Sequence, residues 1–305
     1  MSASDSLDSR PSRRRLAVLG SPIDHSLSPR LHTTAYNLLG VPFDYGRVEL
    51  GSGQLAPWLE SLDTTWQGLS LTMPLKREII PFLDTASPLV DQLGVANTVV
   101  FDYTGGARRL HGYNTDVDGI VRTVASLQAT QPHSATILGG GATAASALYA
   151  AHVLGAREFT VYLRDVAKAD DLTSLASSLG AEITVRPLSD LRNPDVDRAP
   201  AQEFVVSTLP GGAADALTLT PASATSVLFD VAYEPWPSRI ATAWAASSGI
   251  VFSGLDMLVE QAISQVRLFT GNDQSVSLND ESAVRGAMRA AVGLAPADVH
   301  AGGIR

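Results

Sequence analysis

Hydrophobic and polar positions follow two periods along the chain. Short β-branched runs recur at 16–20, 43–49, 68–73, 97–101 and 109–112, and then at 134–139, 158–164, 182–186, 204–207, 227–231 and 250–252. Stretches with helical spacing lie between them, at 29–39 closed by Gly40, near 54–61, after Pro74, at 141–155 and across 167–179. This alternation predicts an α/β protein with mainly parallel sheets. The first series completes one α/β layer by about residue 113, and the second, opening at 134, has the pattern of a nucleotide-binding fold. Two further helical stretches, 255–270 and 280–292, have no strand after them. They must pack on something already built, and the first layer is the candidate. Residues 1–14 are Ser-rich without apolar periodicity, which predicts a disordered tail.

Composition narrows the chemistry. The 305 residues suggest two domains. No apolar run approaches bilayer length and the N-terminus lacks the apolar core of a secretory signal, so a cytoplasmic protein with no membrane partner is expected. Zero cysteines exclude disulfides and thiolate chemistry. With 22 basic against 31 acidic residues, a net charge of −9 argues against a broad nucleic-acid-binding face. The six histidines show no metal spacing and no G-x-S-x-G elbow is present, so neither a metal site nor a serine hydrolase is expected.

One loop carries a mechanical signature. Gly139-Gly140-Gly141-Ala142-Thr143-Ala144 satisfies G-x-G-x-x-A between a strand and an Ala-rich helix. The first Gly makes the turn, the second admits a pyrophosphate, the third small residue allows close helix packing, and the helix N-terminus presents free N–H groups to the anion. At the end of the next strand, where an NAD site tends to place an acid, stand Arg164 and, beyond it, Lys168. Two cations suit a 2′-phosphate and hence NADP; Asp165 keeps NAD open. In the first layer, Ser26 and Ser28 flank Leu27 ahead of Pro29, a setting for a small anionic ligand, although Ser28 also suits a helix N-cap. Lys76 follows a strand end, where ligands of α/β proteins bind, and Asp116 in Asn114-Thr115-Asp116 either caps the next helix or serves a site.

The ordered set Ser26-Leu27-Ser28-Pro29, Leu71-Thr72-Met73-Pro74-Leu75-Lys76, Ala96-Asn97-Thr98, Asn114 to Gly119, the glycine loop, Asp230 to Pro235 and Gly254 to Ala262 resembles the shikimate dehydrogenases from residue 16 to about 272. The resemblance implies an N-terminal α/β substrate domain (15–115 and 255–305) around an inserted Rossmann-type, doubly wound parallel-sheet domain (116–254) that binds NADP. It further implies that Ser26 and Ser28 bind the carboxylate of shikimate or 3-dehydroshikimate, and that Thr72, Asn97, Asp116, Tyr233 and Gln261 hold its hydroxyls or line its pocket. Lys76 and Asp116 become the catalytic pair; Val231 and Gly254 meet the nicotinamide, and Thr208 is a further cofactor contact. Ser70 stands where many relatives carry Asn, and Leu163-Arg164-Asp165 where they carry Asn-Arg-Thr. These departures keep alive an NAD-preferring quinate/shikimate dehydrogenase. A non-catalytic sensor on the same fold is the alternative of another class, and a monomer or homodimer is expected.

Overall fold

The computed structural model describes residues 13–125, 131–192 and 201–295. Most of the expected 1–14 tail lies outside the described residues, but Arg14 is already in a strand, its N–H bonded to the Pro42 carbonyl. The first half of the chain runs β1 (Arg14–Gly20), α1 (Ser28–Leu39), β2 (Phe43–Glu49), α2 (Leu55–Glu60), β3 (Trp66–Leu71), α3 (Leu75–Glu78), β4 (Thr85–Ala86), α4 (Pro88–Leu93), β5 (Thr98–Asp102) and β6 (Arg109–Tyr113). These strands form one sheet in the order β2-β1-β3-β5-β6-β4. It is mixed rather than mainly parallel: β5 runs antiparallel to both β3 and β6. The β5–β6 link contains only residues 103–108, too short for the crossover a parallel pair needs. The reversal has a consequence for the site. Register pairs Ser70 with Thr98 and Thr98 with Tyr113, so the start of β5 meets the ends of β3 and β6 at one sheet edge.

The chain then continues through α5 (Asp116–Ala125), β7 (Ser134–Leu138), α6 (Ala142–Val153), β8 (Glu158–Leu163), α7 (Asp170–Ser178), β9 (Glu182–Pro187), β10 (Ala201–Gln202), β11 (Phe204–Ser207), β12 (Thr220–Pro221), β13 (Val227–Asp230), α8 (Arg239–Ala246) and β14 (Ile250–Ser253). Six of these strands form a second sheet, β14-β13-β11-β7-β8-β9, with every pairing parallel, while β10 and β12 make a small side ribbon. The order reverses between β7 and β11, and a crevice for ligand opens at the strand ends beside such a switch point. Alanines on α6 lie fully buried against the sheet, and their small side chains permit close helix approach.

The last elements are α9 (Gly254–Phe269) and α10 (Glu281–Ala291). Val259, Ile263, Val266 and Phe269 of α9, with Val284 and Met288 of α10, pack in one cluster with Leu16, Leu31 and Tyr36 of the first layer. Ser253 caps α9 in a capping box with Asp256, whose carboxylate also takes Arg289 at 3.0 Å. Gly119 of α5 allows α9 to come close: a Cβ there would lie 3.0 Å from the Gln261 Cβ and from the Met257 carbonyl oxygen. Among the described residues no helix is long and apolar enough to cross a membrane.

Candidate active site

The sheet edge described above gathers six polar side chains into one buried cluster. Lys76 Nζ lies 2.6 Å from Asp116 Oδ2, both side chains being nearly withdrawn from solvent. Asn97 Nδ2 donates to Asp116 Oδ1 at 2.8 Å and to Thr115 Oγ1 at 2.9 Å, and reaches Gln261 Oε1 at 3.3 Å. Asn97 Oδ1 accepts from the Thr115 N–H at 2.8 Å and from Thr98 Oγ1 at 2.9 Å. Gln261 donates in turn to the Leu258 carbonyl of its own helix at 3.0 Å. Asp116 is therefore not occupied with capping α5. Asn114 does that work: its Oδ1 accepts from the N–H groups of Asp116 at 3.0 Å and Val117 at 3.3 Å, leaving the Asp116 carboxylate free to meet Lys76 and Asn97. At the first position of α5, that carboxylate also sits where the helix dipole favours negative charge.

The serine pair is arranged in reverse of the simplest capping expectation. Leu27 occupies the N-cap of α1 and Ser28 is the first helical residue; Ser26 Oγ accepts from the Ser28 N–H at 3.4 Å. Ser28 is buried against the Tyr45 side chain, so it lies inside the first turn of α1 rather than capping it. Thr72 lies just past β3, its N–H on the Leu19 carbonyl and its methyl against Gly20, where a Cβ would come within 2.3 Å. Tyr233 sits half-buried on the loop after β13, and burial pushes its phenol above the ordinary range. No hydrogen bond among the described residues joins Tyr233 to the Lys76 cluster.

Beyond these, the structure adds polar groups that the motifs do not mark. Tyr45 donates to Ser70 Oγ at 2.7 Å, Ser70 to Gln265 Oε1 at 2.9 Å, and His32 Nε2 lies 3.1 Å from the same oxygen. His32 stacks on Tyr45 with ring centroids 4.0 Å apart. Burial lowers its pKa to about 3, against the opposing hydrogen bond with Gln265, so the ring is neutral at physiological pH. The available signal is spacing: Gln265 is four residues after Gln261, and His32 four after Ser28, so each shares a helix face with a site residue.

The glycine loop faces this cluster from the second sheet. Gly139 has φ +109°, and a Cβ there would strike Thr208 Oγ1 at 2.4 Å. Thr208 donates to the Leu138 carbonyl at 2.8 Å, which braces the loop. Gly140 lies against Leu163, Gly141 borders open space, and Gly141 caps α6 without a side chain, so Ala142 and Thr143 open the helix with N–H groups available to an anion. These features fit a dinucleotide pyrophosphate. Thr143 Oγ1 is also 3.4 Å from Lys76 Nζ. At the end of β8, Arg164 is exposed and forms no ion pair among the described residues. Asp165 is engaged locally, accepting from the Ala167 N–H at 3.2 Å and standing 3.9 Å from Lys168, which lies in a short 3-10 turn, not in a full helix. Gly254 is required by the Val231 carbonyl, 2.0 Å from where its Cβ would be.

Comparison with known proteins bears on this arrangement. The family model for the shikimate dehydrogenase substrate binding domain matches residues 18–99. A shikimate 5-dehydrogenase of Mycobacterium fortuitum is 36% identical with a TM-score of 0.73, over 92% of this chain and 98% of that one. The chain belongs to the shikimate dehydrogenase family. The family's α/β substrate-binding layer and Rossmann-type parallel sheet are the two sheets seen here. A second member, from Thermus thermophilus and solved in complex with NADP(H) and shikimate, is 28% identical with a TM-score of 0.72, covering 91% of this chain and 99% of that one. The chain is also 37% identical over 292 residues to a pentafunctional AROM polypeptide of Malassezia globosa, of which it spans 18% of the length.

Proposed function

We propose that this chain is an NADP-dependent oxidoreductase that interconverts 3-dehydroshikimate and shikimate in aromatic amino acid biosynthesis. The observation that carries the reading is the buried Lys76–Asp116 pair, held at a sheet edge with a residue of the dinucleotide loop beside the ammonium. When bound, the nicotinamide supplies hydride to the ketone carbon. Lys76 provides what the ketone oxygen then needs, a positive donor as charge develops and a proton to complete the hydroxyl; in the reverse direction it accepts that proton. Asp116 orients the ammonium, and Asn97 orients Asp116. Ser26 and Ser28 would hold the substrate carboxylate, and Thr72, Tyr233 and Gln261 would line the pocket. In the same reading residues 15–115 with 255–305 form the substrate domain and 116–254 the cofactor domain. The enzyme works in the cytoplasm as a monomer or homodimer, which sedimentation velocity separates. Incubation of 3-dehydroshikimate with NADPH should yield shikimate, identified by proton NMR; recovery of unchanged ketone would oppose the reading.

Two local tests refine it. The engaged Asp165 and the exposed Arg164, without an ion pair among the described residues, favour a 2′-phosphate over a ribose hydroxyl. Arg164→Ala should raise KM for NADP about 10- to 100-fold while leaving NAD kinetics unchanged, the range expected for loss of a charge-assisted hydrogen bond. Equal losses with both cofactors would assign Arg164 to general loop structure. At the α5–α9 contact, Gly119→Ala should displace Gln261 and raise KM for shikimate several-fold. Its stability change should be small, since a helix-propensity gain of about 1 kcal/mol opposes overpacking of about 1–3 kcal/mol. Steady-state kinetics beside a melting curve separates the two effects.

A further inference from the structure

The Lys76–Asp116 pair is the end of a longer buried chain of hydrogen bonds, and that chain has a direction. Backbone groups and a carboxylate settle it. Asn97 Oδ1 faces the Thr115 N–H, which can only donate, so Asn97 Nδ2 is the atom turned to the carboxylate of Asp116, which only accepts. Gln265 Nε2 lies 3.4 Å from the Asn97 carbonyl, which only accepts, and 3.0 Å from Thr98 Oγ1. Thr98 therefore receives from Gln265 and sends its own proton to Asn97 Oδ1. The other end of the Gln265 amide is then an acceptor, and His32 must present Nε2–H to it. A neutral ring has one N–H, so His32 Nδ1 is bare and accepts from the Tyr36 hydroxyl at 3.0 Å.

The full path reads Tyr36 to His32 to Gln265 to Thr98 to Asn97 to Asp116, every donor pointing toward the carboxylate. A second branch, Tyr45 to Ser70, joins at Gln265 Oε1 with the same sense. Gln265 is 1% exposed, so it contributes to a site only through these bonds. Aligned dipoles polarise one another, and a low-dielectric surrounding strengthens the effect. Ser70, the shorter residue at a position where many relatives carry Asn, is here a link in the second branch.

We infer that Gln265 is a positioning residue of the reaction, the junction at which two buried one-way hydrogen-bond branches merge to hold Asn97, and through it Asp116 and Lys76, in working register. The inference rests on the proposed roles of Lys76 and Asp116. It separates Gln265 from Gln261, the neighbour on α9 that touches the Asn97 side chain directly, because Gln265 reaches that side chain only through Thr98.

The test combines kinetics with spectroscopy of the unmodified enzyme. Gln265→Leu and Thr98→Val should each lower kcat per folded molecule about tenfold with KM for NADP unchanged, the scale expected for a small misplacement of reacting groups. Because both cut one path, the double variant should lose little more than either single one. Nitrogen-15 NMR of the unmodified protein should show His32 as the Nε2–H tautomer at neutral pH. Near-normal kcat in Gln265→Leu, multiplicative losses in the double variant, or an Nδ1–H tautomer would each overturn the inference. Lys76→Ala measured alongside keeps the two claims apart: an inactive Lys76 variant beside a normal Gln265 variant removes only the positioning role, whereas an active Lys76 variant removes the functional reading itself.

Discussion

Replacing Lys76 with Ala should lower kcat about 10³-fold while KM for shikimate moves only a few-fold, a loss within the range measured for removing a positioned proton donor. The ammonium spends one donor on Asp116 at 2.6 Å and a weaker one on Thr143 at 3.4 Å, which leaves a third for the substrate oxygen. That last bond strengthens as the ketone oxygen gains charge, so its removal weighs on the transition state more than on the bound substrate. The carboxylate left behind keeps Asn97 as a partner, so the variant should fold, and a melting curve checks that. Turnover within a few-fold of the parent would remove Lys76 from the chemistry.

The largest expected effect on stability lies away from the site. Arg267 is 1% exposed, yet it donates to both oxygens of Glu281, at 2.8 and 2.7 Å, and to the Gln274 carbonyl at 2.7 Å. This pair fastens α10 to α9, the helix that carries Gln261 and Gln265. Arg267→Ala leaves the largely buried Glu281 carboxylate with only Arg285 and the Leu278 N–H as partners and should cost about 3–5 kcal/mol, seen as a fall in Tm of roughly 10 °C. Replacing both partners by methionine should recover much of that loss, because the penalty comes from the unpaired charge more than from the missing bond. A double variant no more stable than Arg267→Ala would contradict this. The pair also sets an acid limit. Burial raises the Glu281 carboxyl, but hydrogen bonds from Arg267 and the Leu278 N–H, the Arg267 charge and the Arg285 bond outweigh it and bring the pKa down to about 2 from 4.5. A depressed carboxylate contributes stability that is fully present above its unfolded pKa and is lost as pH falls from there through about 2. Unfolding midpoints between pH 5 and pH 2 should therefore drop less steeply in Glu281→Gln than in the parent.

Much of the fold is legible in the chain because alternation and helical spacing mark where elements begin and end: β2 and β11 span the expected residues, and Gly40 ends α1 with φ +65°. Direction is another matter. Nothing in the period-two pattern of 97–101 reveals that β5 runs antiparallel, yet that reversal brings Asn97 to the ends of β3 and β6. The short helix α8 follows Pro235-Trp236-Pro237 and has only eight residues, too few for a clear period. At the site, Lys76, Asp116, Asn97 and Gln261 come together as the motifs imply. Asn114, Tyr45, His32 and Gln265 do their work through contacts set by tertiary packing, and a side chain's partner across 233 residues, as for His32 and Gln265, leaves no local mark.

The most direct test of the central claim is the rate of nicotinamide reduction by the purified protein with shikimate or quinate against NADP or NAD. The structure and family membership lead us to expect the highest kcat/KM with shikimate and NADP, through the exposed Arg164 and the Lys76–Asp116 pair. Faster oxidation of quinate with NAD, or binding without turnover in all four pairings, would contradict it.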